Sequence, residues 1–448
     1  MAIEKQEEMN VMEKLASLSK RRGFIFQSSE IYGGINGFWD YGPYGVTLRR
    51  AVEQLWWNNM VEEREDVVGL DSTVICHPRV WEASGHLEKF ADMMVDCNDC
   101  KKRHRLDQME DEKHCPACGS EDLTEPREFN LMMKTFVGPV FDEEHAAYLR
   151  AETCQPIFVD YPQVRITSRQ KLPFGIAQSG KAFRNEITPR FFTFRSREFV
   201  QMEMEYFCRE EDAMNYFNYW RDQRWRFYTE QLNFSEESLR LHEHEELAHY
   251  AKAAVDIEYK FPFGWGELEG VHHRGTYDTE RHEEYSGKEM KYLDQETNER
   301  FFPTVIETSC GLDRICLALL AAAYDEDVAE TKREGKDEDI RVVLRLPPPV
   351  APVQVAVLPL SKKLSEKAQP IYKQLKRLFR CEYDDGGSIG KRYRRQDEIG
   401  TPFCITYDFD SLEDHAVTVR NRDTMEQERV AVDKVRDYLL DKVSPWIM

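Results

Sequence analysis

Leu48, Ala51, Val52, Leu55 and Trp56 recur at helical spacing and predict a helix from Val46 to about Glu63 with a single apolar stripe. A polar helix over Glu4–Lys20 precedes it, and the Gly-rich run GGINGFWDYGPYG (Gly33–Gly45) between them predicts irregular backbone. Val67–Cys76 reads as a strand stopped by Pro78. Residues 129–210 carry strong strand patterns, the clearest in FVQMEMEYF, residues 199–207. There Val200, Met202, Met204 and Tyr206 face one way and Gln201, Glu203 and Glu205 the other. Residues 210–255, rich in aromatics and charge, read as helical, and residues 300–325 as a strand running into the nearly all-apolar helix ICLALLAAAY, which requires burial. The charge run DEDVAETKREGKDEDI (residues 325–340) predicts a solvated loop or helix. Pro347–Pro349 marks a domain boundary. Beyond it VQVAVLPL, a helix near Leu364–Phe379, RCEYDD, a short helix, PFCITYD, AVTVRNR and a last helix Val432–Val443 alternate as a compact α/β domain of about 100 residues. No internal repeat or low-complexity tract interrupts this order.

The length of 448 residues suggests about three domains. With 41% hydrophobic and 12% aromatic residues a large core is available, which argues against global disorder. No run of about twenty apolar residues is present, so no membrane span is expected. The opening MAIEKQEEMN lacks the apolar core of a secretory signal. There are eleven cysteines, an odd number, and Cys208, Cys316 and Cys404 stand singly in apolar stretches. That usage predicts a reducing, cytoplasmic setting instead of a disulfide framework. The net charge of −21 bears on solubility and leaves room only for a local basic face, not a general nucleic-acid coat.

Four cysteines cluster as Cys97-Asn-Asp-Cys100 and Cys115-Pro-Ala-Cys118-Gly, with fourteen residues between the pairs. Two such knuckles place four thiolates around one zinc ion, and an all-thiolate shell is closed to substrate, so the zinc is expected to be structural. A redox pair is the alternative for either knuckle alone, and a zinc ribbon names no function by itself.

The polar face of residues 199–207 is either solvent-exposed or lines a site. The segment before it, Phe183-Arg184-Asn185-Glu186, is also strand-like, and the loop ITPRFFTFRSR returns from it to Phe199. The resulting antiparallel hairpin carries Arg184, Arg190, Arg195 and Arg197 beside Glu186 and Glu203, with five basic and two acidic residues between 181 and 198. Arginines bind phosphates bidentately, and carboxylates hold an amine or a magnesium ion. A salt-bridged surface hairpin has the same spacing. A third piece favours the site: Glu307 and Ser309 share a face of the strand Val305–Cys310, and Gly311-Leu312-Asp313-Arg314 opens the buried helix. A helix N-terminus with an arginine in its first turn suits a triphosphate.

In order along the chain, the helix, strand and Pro78, then FRNE with its arginine loop, then GLDR opening a helix, resemble the three signature motifs of class II aminoacyl-tRNA synthetases. HPRVWEASGH (His77–His86), RAETCQ (Arg150–Gln155), FPFGWGELEG (Phe261–Gly270) and ETSCGLDR (Glu307–Arg314) resemble the single-chain, homodimeric glycyl-tRNA synthetases. So does the position of the cysteine insert, and GSIGKRYRRQDEIGTPFCITYD (Gly387–Asp408) resembles the anticodon-binding domain shared by several class II enzymes. The resemblance implies an α+β fold: a class II antiparallel-sheet catalytic domain over residues 1–345, a zinc-ribbon insert at 95–125 within it, and an anticodon-binding domain at 346–448. It implies activation of glycine with ATP and magnesium to glycyl-adenylate, then transfer to the 3′ end of tRNA(Gly), by a cytoplasmic homodimer. The chain departs from the family at Ala151 and Cys154, where proline and alanine are usual, at Cys310, where alanine is common, and at Val200, where some members carry glutamate.

By the same resemblance ATP is held by Arg184, Asn185 and Glu186, by Phe194, Arg195, Ser196, Arg197, Glu198 and Phe199, by Glu267 and Leu268, and by Gly311, Leu312, Asp313 and Arg314. Arg184, Glu186 and Arg314 are the catalytic set. Phe199 stacks on adenine, Glu186 accepts from its amino group, and Glu267 holds magnesium or ribose. Glycine is held by Arg105, Glu152, Phe199, Val200, Gln201, Met202 and Glu203, and by Glu307, Thr308, Ser309, Cys310 and Gly311. Metal binding falls to Cys97, Cys100, Cys115 and Cys118. Lys391, Arg392, Tyr393, Arg394 and Arg395 combine four cations with a ring, suited to tRNA phosphates and bases; a basic helix face paired with Asp397 and Glu398 is the other reading. His242, His244, His249, His272, His273 and His282 match no common ligand spacing and read as surface or hydrogen-bonding histidines. Three rival functions remain: a synthetase-like binding subunit without activity, a class II enzyme for threonine, proline or serine, and a non-catalytic zinc-ribbon nucleic-acid binder. The intact arginines and carboxylates oppose the first, RAETCQ, GWGELEG and ETSCG the second, and the charged sheet the third.

Overall fold

A computed structural model of the chain describes residues 2–109, 111–244, 252–329 and 339–443. Its centre is a seven-stranded sheet made of β1 (Val67–Gly69), β2 (Phe174–Phe183), β3 (Glu198–Cys208), β4 (Leu239–Glu243), β5 (Ala253–Phe261), β6 (Gly264–Gly275) and β7 (Thr304–Gly311). The spatial order is β4-β5-β6-β7-β3-β2-β1. Every pairing is antiparallel except that of β1 with β2.

The alternation along β3 divides the molecule into two sides. Val200, Met202, Met204 and Tyr206 join the main core with Leu48, Val52 and Trp56 of the helix Pro43–Trp57, Phe217 and Trp220 of the helix Ala213–Arg226, and the apolar face of Leu312–Ala323. The opposite side packs Phe174, Ile176 and Phe207 against Ile157, Phe158 and Tyr161 of the helix Cys154–Ser168. Glu203 and Glu205 on that side are buried as well, so the polar face of β3 is not a solvent face.

Several expected elements change in detail. Part of the Gly-rich run is regular: Trp39–Tyr41 pairs with Ile25–Gln27, and the helix starts at Pro43, where a missing N–H costs nothing. Gly45 is required there, because a Cβ would lie 1.8 Å from the Phe24 carbonyl oxygen. The predicted strand Val67–Cys76 is two short ones, Val67–Gly69 and Ile75–Cys76, and Pro78 opens the helix Pro78–Ala83. The helical reading of 210–255 holds only through Gln231; β4 and the start of β5 follow. Arg184, Asn185 and Glu186 lie just beyond the end of β2. The described parts of the charge run pair as strands, Tyr324–Ala329 with Asp339–Leu344; residues 330–338 lie outside the described residues, as does His249.

Beyond Pro349 a second core forms around Val355, Val357, Ile371, Leu375, Ile405, Val417 and Leu439. Its five strands run Cys381–Tyr383, Val355–Pro359, Phe403–Tyr407, Ala416–Asn421, Gln427–Ala431, parallel among the first three and antiparallel beyond. Buried Arg341 reaches from the connecting strand to Asp327 at 2.7 Å and to Asp397 of this unit at 3.4 Å.

Beside the main core lies a fully buried ion pair, Arg224 Nε to Glu269 Oε1 at 2.6 Å, with Asn59 accepting from Arg224 at 3.1 Å. Removing one partner strands a buried charge. Arg224→Met is expected to destabilise by about 3–5 kcal/mol, and adding Glu269→Leu to recover most of it; denaturant unfolding of the two variants measures both.

Candidate active site

The cleft opens on the polar side of β3 and has a volume of about 220 Å³. Strand register brings its side chains together. Glu203 lies opposite Ser309, Glu205 opposite Glu307, and Glu307 in turn opposite His272 of β6. Residues two apart share a face, so β3 contributes Gln201 and Glu203, β7 contributes Glu307 and Ser309, and β6 contributes His272 and Arg274 to one lining.

The inner end is a nest of acids. Glu307 accepts from Arg274 at 2.6 Å on one oxygen and pairs with His272 at 2.7 Å on the other. Arg274 also grips Asp278 with two bonds, at 2.8 and 3.0 Å. Glu152 pairs with His86 at 3.3 Å and accepts from the Cys154 thiol at 3.0 Å. Glu203 accepts from Ser309 at 2.6 Å, from Gln201 at 3.1 Å and from the Thr153 hydroxyl. Both oxygens of Glu205 are buried without a hydrogen-bond partner. Burial raises all these carboxyls, and the neighbours decide the outcome. Against that burial, Arg274 and His272 hold Glu307 below its ordinary range, and His86 does the same for Glu152. Glu203 is pushed up to about 7 by burial and by Glu307 and Glu152. Burial and the facing Glu307 push Glu205 well above the carboxylate range, which makes it a neutral acid.

The outer end is cationic and aromatic. The Arg184 guanidinium sits between the rings of Phe90 and Phe199, at 5.3 and 5.4 Å, and its Nε donates to the Ala151 carbonyl at 3.1 Å. Arg314 lies over Phe194 at 4.4 Å and meets Glu267 at 3.0 Å. Arg195 and Arg105 each stand 3.9 Å from Glu186. A nest of acids joined to a cradle of arginines suits a zwitterion with a small ammonium group next to a polyphosphate.

Comparison with known proteins agrees with this geometry. The tRNA synthetase class II core domain of the G, H, P, S and T group matches residues 136–323, and the anticodon binding domain matches residues 354–442. The glycine–tRNA ligase of Treponema denticola is 54% identical over 94% of both chains. That of Clostridium acetobutylicum is 50% identical over 96% of this chain and 98% of its own, and that of Geobacillus kaustophilus 50% identical over 97% and 99%. The chain belongs to the glycine–tRNA ligase family.

Most residues that the family resemblance assigns converge on the cleft: Arg184, Glu186, Phe194, Arg195, Ser196, Phe199, Glu267, Gly311, Asp313 and Arg314 among those expected to hold ATP, and Glu152, Val200, Gln201, Glu203, Glu307, Ser309 and Cys310 among those expected to hold glycine. Others do not line it. Met202, Leu268 and Leu312 point into the main core, and Thr308 is fully buried. Asn185 stands outside the lining. Arg197 is spent on the Glu186 and Asn36 carbonyls, Glu198 pairs with Lys181, and Arg190 packs on Phe191. Asp313 has both oxygens committed, to the Val200 amide at 2.7 Å and the Tyr41 hydroxyl at 2.5 Å, so it fastens the helix to β3. Arg105 reaches the rim beside Glu186, held by Asp92 and Asp107 at 2.8 Å each, and not the acid nest. Arg274, His272, His86 and Thr153 are partners the sequence reading passed over. For His272 and Arg274 the signal is register alone, since HHRG (His272–Gly275) faces the site only once β6 is paired with β7; His86 and Thr153 lie in the stretches His77–His86 and Arg150–Gln155 already singled out.

Two further clusters have definite places. The sulfurs of Cys97, Cys100, Cys115 and Cys118 lie within 4.8 Å of one another, with Cys97–Cys118 and Cys100–Cys115 at 3.6 Å. Gly119 closes the second knuckle at φ 75°. On the helix Ile389–Ile399, Arg392 is buried and donates to the Pro359, Asp384 and Gly387 carbonyls. Tyr393 is held by Thr406 at 2.6 Å and lies under Arg420. Arg392 is corrected from an RNA contact to scaffold, while Tyr393 is half-buried; Lys391 is exposed, and Arg395 is paired with Asp384 at 2.9 Å. His242 and His244 pair with Glu258 and Asp256, and His282 with Gln155, in keeping with hydrogen-bonding histidines.

Glu205 supplies a test of the electrostatics. Its proton is retained in the folded chain and lost from the unfolded one above the ordinary carboxylate range, so its contribution to stability declines as pH rises from about 4. Glu205→Gln, neutral at every pH, is expected to raise Tm by a few degrees at pH 8 and by little near pH 4, as read by calorimetric scans at both pH values.

Proposed function

We propose that the cleft condenses glycine with ATP to glycyl-adenylate and passes the glycyl group to the terminal ribose of tRNA(Gly). The observation that carries this is the inner end: three carboxyls, Glu152, Glu203 and Glu307, and the Ser309 hydroxyl close the cleft where a larger amino acid would need an apolar pocket. Glycine has no side chain to recognise. Selection therefore rests on binding the ammonium group and leaving no space beyond Cα, and a wall tied together by its own hydrogen bonds does not yield to an added methyl.

Arg184 and Arg314 would take the phosphate oxygens, and Phe199, already stacked on Arg184, would take the adenine. Glu203, Glu152 and Glu307 hold the glycine ammonium so that its carboxylate points at the α-phosphorus. In-line attack then releases pyrophosphate, with no general base needed because the nucleophile is already ionised. Positioning and charge stabilisation supply the catalysis. Magnesium, when bound, neutralises phosphate charge, and Glu267 and Glu186 are the carboxylates at the nucleotide end able to approach it.

We assign a structural zinc to the four cysteines. Tetrahedral thiolate coordination at about 2.3 Å requires sulfurs about 3.8 Å apart, which these contacts approach. The zinc would fix the strand Arg103–Arg105 and so deliver Arg105 to the rim beside Glu186. Residues 1–345 are taken as the catalytic domain with the 95–125 insert, and 346–448 as the anticodon-binding domain. A cytoplasmic homodimer is the working assembly. Among the described residues no helix is long and apolar enough to cross a membrane.

Amino-acid-dependent ATP–pyrophosphate exchange tests the assignment. Exchange with glycine alone is expected; exchange with alanine, serine, threonine or proline instead would keep the chemistry and refute the substrate. Glu307→Gln is expected to lower glycine-dependent exchange by roughly a hundredfold or more with an unchanged circular dichroism spectrum, and wild-type turnover would remove Glu307 from the site. Chelation is expected to release one zinc per chain and to lower Tm.

A further inference from the structure

Three carboxyls face the inner end, and they differ in what balances them. Glu307 has Arg274 and His272 on its two oxygens. Glu152 has the His86 imidazole. Glu203 has the Ser309 and Thr153 hydroxyls and the Gln201 amide, all neutral donors. The groups around Glu203 are Gln201 and Glu205 on β3, Glu307 and Ser309 on β7, His272 and Arg274 on β6, Glu152, Thr153 and Cys154 at the start of the helix Cys154–Ser168, and Asp278 on the helix Tyr277–Ser286. Arg150, on the β2 side, is spent on the carbonyls of Ser72, Thr73 and Lys181. The acids outnumber the cations, and Glu203 is the member without one.

We propose that glycine enters by exchange: its ammonium group displaces a proton held on Glu203, so that glycine binding and proton release are one event. The inference rests on the glycine reading of the site. A carboxylate 2% exposed with only neutral donors around it is costly when ionised, and protonation removes that cost. The ammonium supplies the missing cation and makes the ionised form the stable one. The balance is complete: the Glu203 carboxylic acid and the glycine zwitterion give a carboxylate–ammonium pair and one proton, which leaves to solvent. Glycine is a zwitterion throughout the neutral range, so the proton comes from the protein. The titration range of Glu203, about 7, puts the exchange within reach of ordinary assays.

The experiment is the KM for glycine in ATP–pyrophosphate exchange at saturating ATP, from pH 6 to pH 8. For the wild type, KM is expected to fall about tenfold across that range, as for one group titrating near 7 that must lose its proton, with kcat changing far less. In Glu203→Gln, KM is expected to be high and flat with pH. A flat wild-type KM overturns the proposal, and so does a Glu203→Gln variant that keeps the slope, since the titrating group would then be another one. Should that variant be inactive, proton release on mixing wild-type protein with glycine in weakly buffered solution with an indicator dye decides: a fractional proton per site at pH 7 supports the exchange, and none refutes it. Absence of glycine-dependent exchange at every pH would sink the functional reading itself, whereas normal exchange with a pH-independent KM sinks only the proton exchange.

Discussion

The antiparallel pairing of β3 with β7 is the constraint on which the rest of the site depends. It sets Glu203 against Ser309 and Glu205 against Glu307, and through β7 it sets Glu307 against His272. A slip of one residue would turn the acids of β3 into the main core and Met202 and Met204 into the cleft. Such a slip is blocked from both sides. Met202, Met204 and Tyr206 are locked among Leu48, Trp56 and Trp220, and the Asp313 carboxylate ties the helix after β7 to the Val200 amide of β3. The apolar side of the sheet thus holds the polar side in register, and the chemistry of the cleft is a consequence of how the core packs.

Placing so many carboxyls on one buried face is unfavourable, and the structure divides the burden unequally. Glu307 is kept ionised by two cations, one of which, Arg274, is itself anchored by Asp278. Glu205, directly across the strand pair from Glu307, has no partner and is neutral; like charges at that spacing would weaken the pairing that the site needs. Glu203 lies between these extremes. The acid nest is therefore assembled from two carboxylates held ionised, Glu307 and Glu152, one silent acid, Glu205, and one acid, Glu203, whose state follows its occupant.

Much of this order is legible in the sequence because it is local. The period-two run at residues 199–207, the apolar helix after GLDR and the paired cysteine knuckles each declare themselves within a dozen or two dozen residues. The misreadings arise where tertiary structure overrides local preference. Residues 239–243 and 253–255, in a stretch charged and aromatic enough to pass for helix, are strand because they extend the sheet beyond β6. Asp313, beside Arg314 in a motif expected to bind phosphate, serves the scaffold because Tyr41, 272 residues away, comes to meet it. His272 and Arg274 are invisible as site residues until the bulged β6 is aligned against β7, since nothing in HHRG specifies which face will be inward.

Arginine shows most clearly where sequence reasoning stops. Arg150, Arg184, Arg197, Arg314 and Arg392 all lie in motifs that resemble substrate-binding stretches, and their residue type is the same. Arg150 and Arg392 are buried, and their guanidinium groups gather backbone carbonyls that strand ends and turns leave without donors. Arg197 does the same for Asn36 and Glu186. Arg184 keeps one nitrogen on the Ala151 carbonyl and Arg314 two on the Phe194 and Glu267 carbonyls, and each packs its guanidinium against an aromatic ring that lines the cleft. That holds the group in place while leaving donors directed at the cleft. The distinction between an arginine that builds the site and one that serves it is thus set by the carbonyls and rings that come to surround it, and those neighbours exist only after the chain has folded.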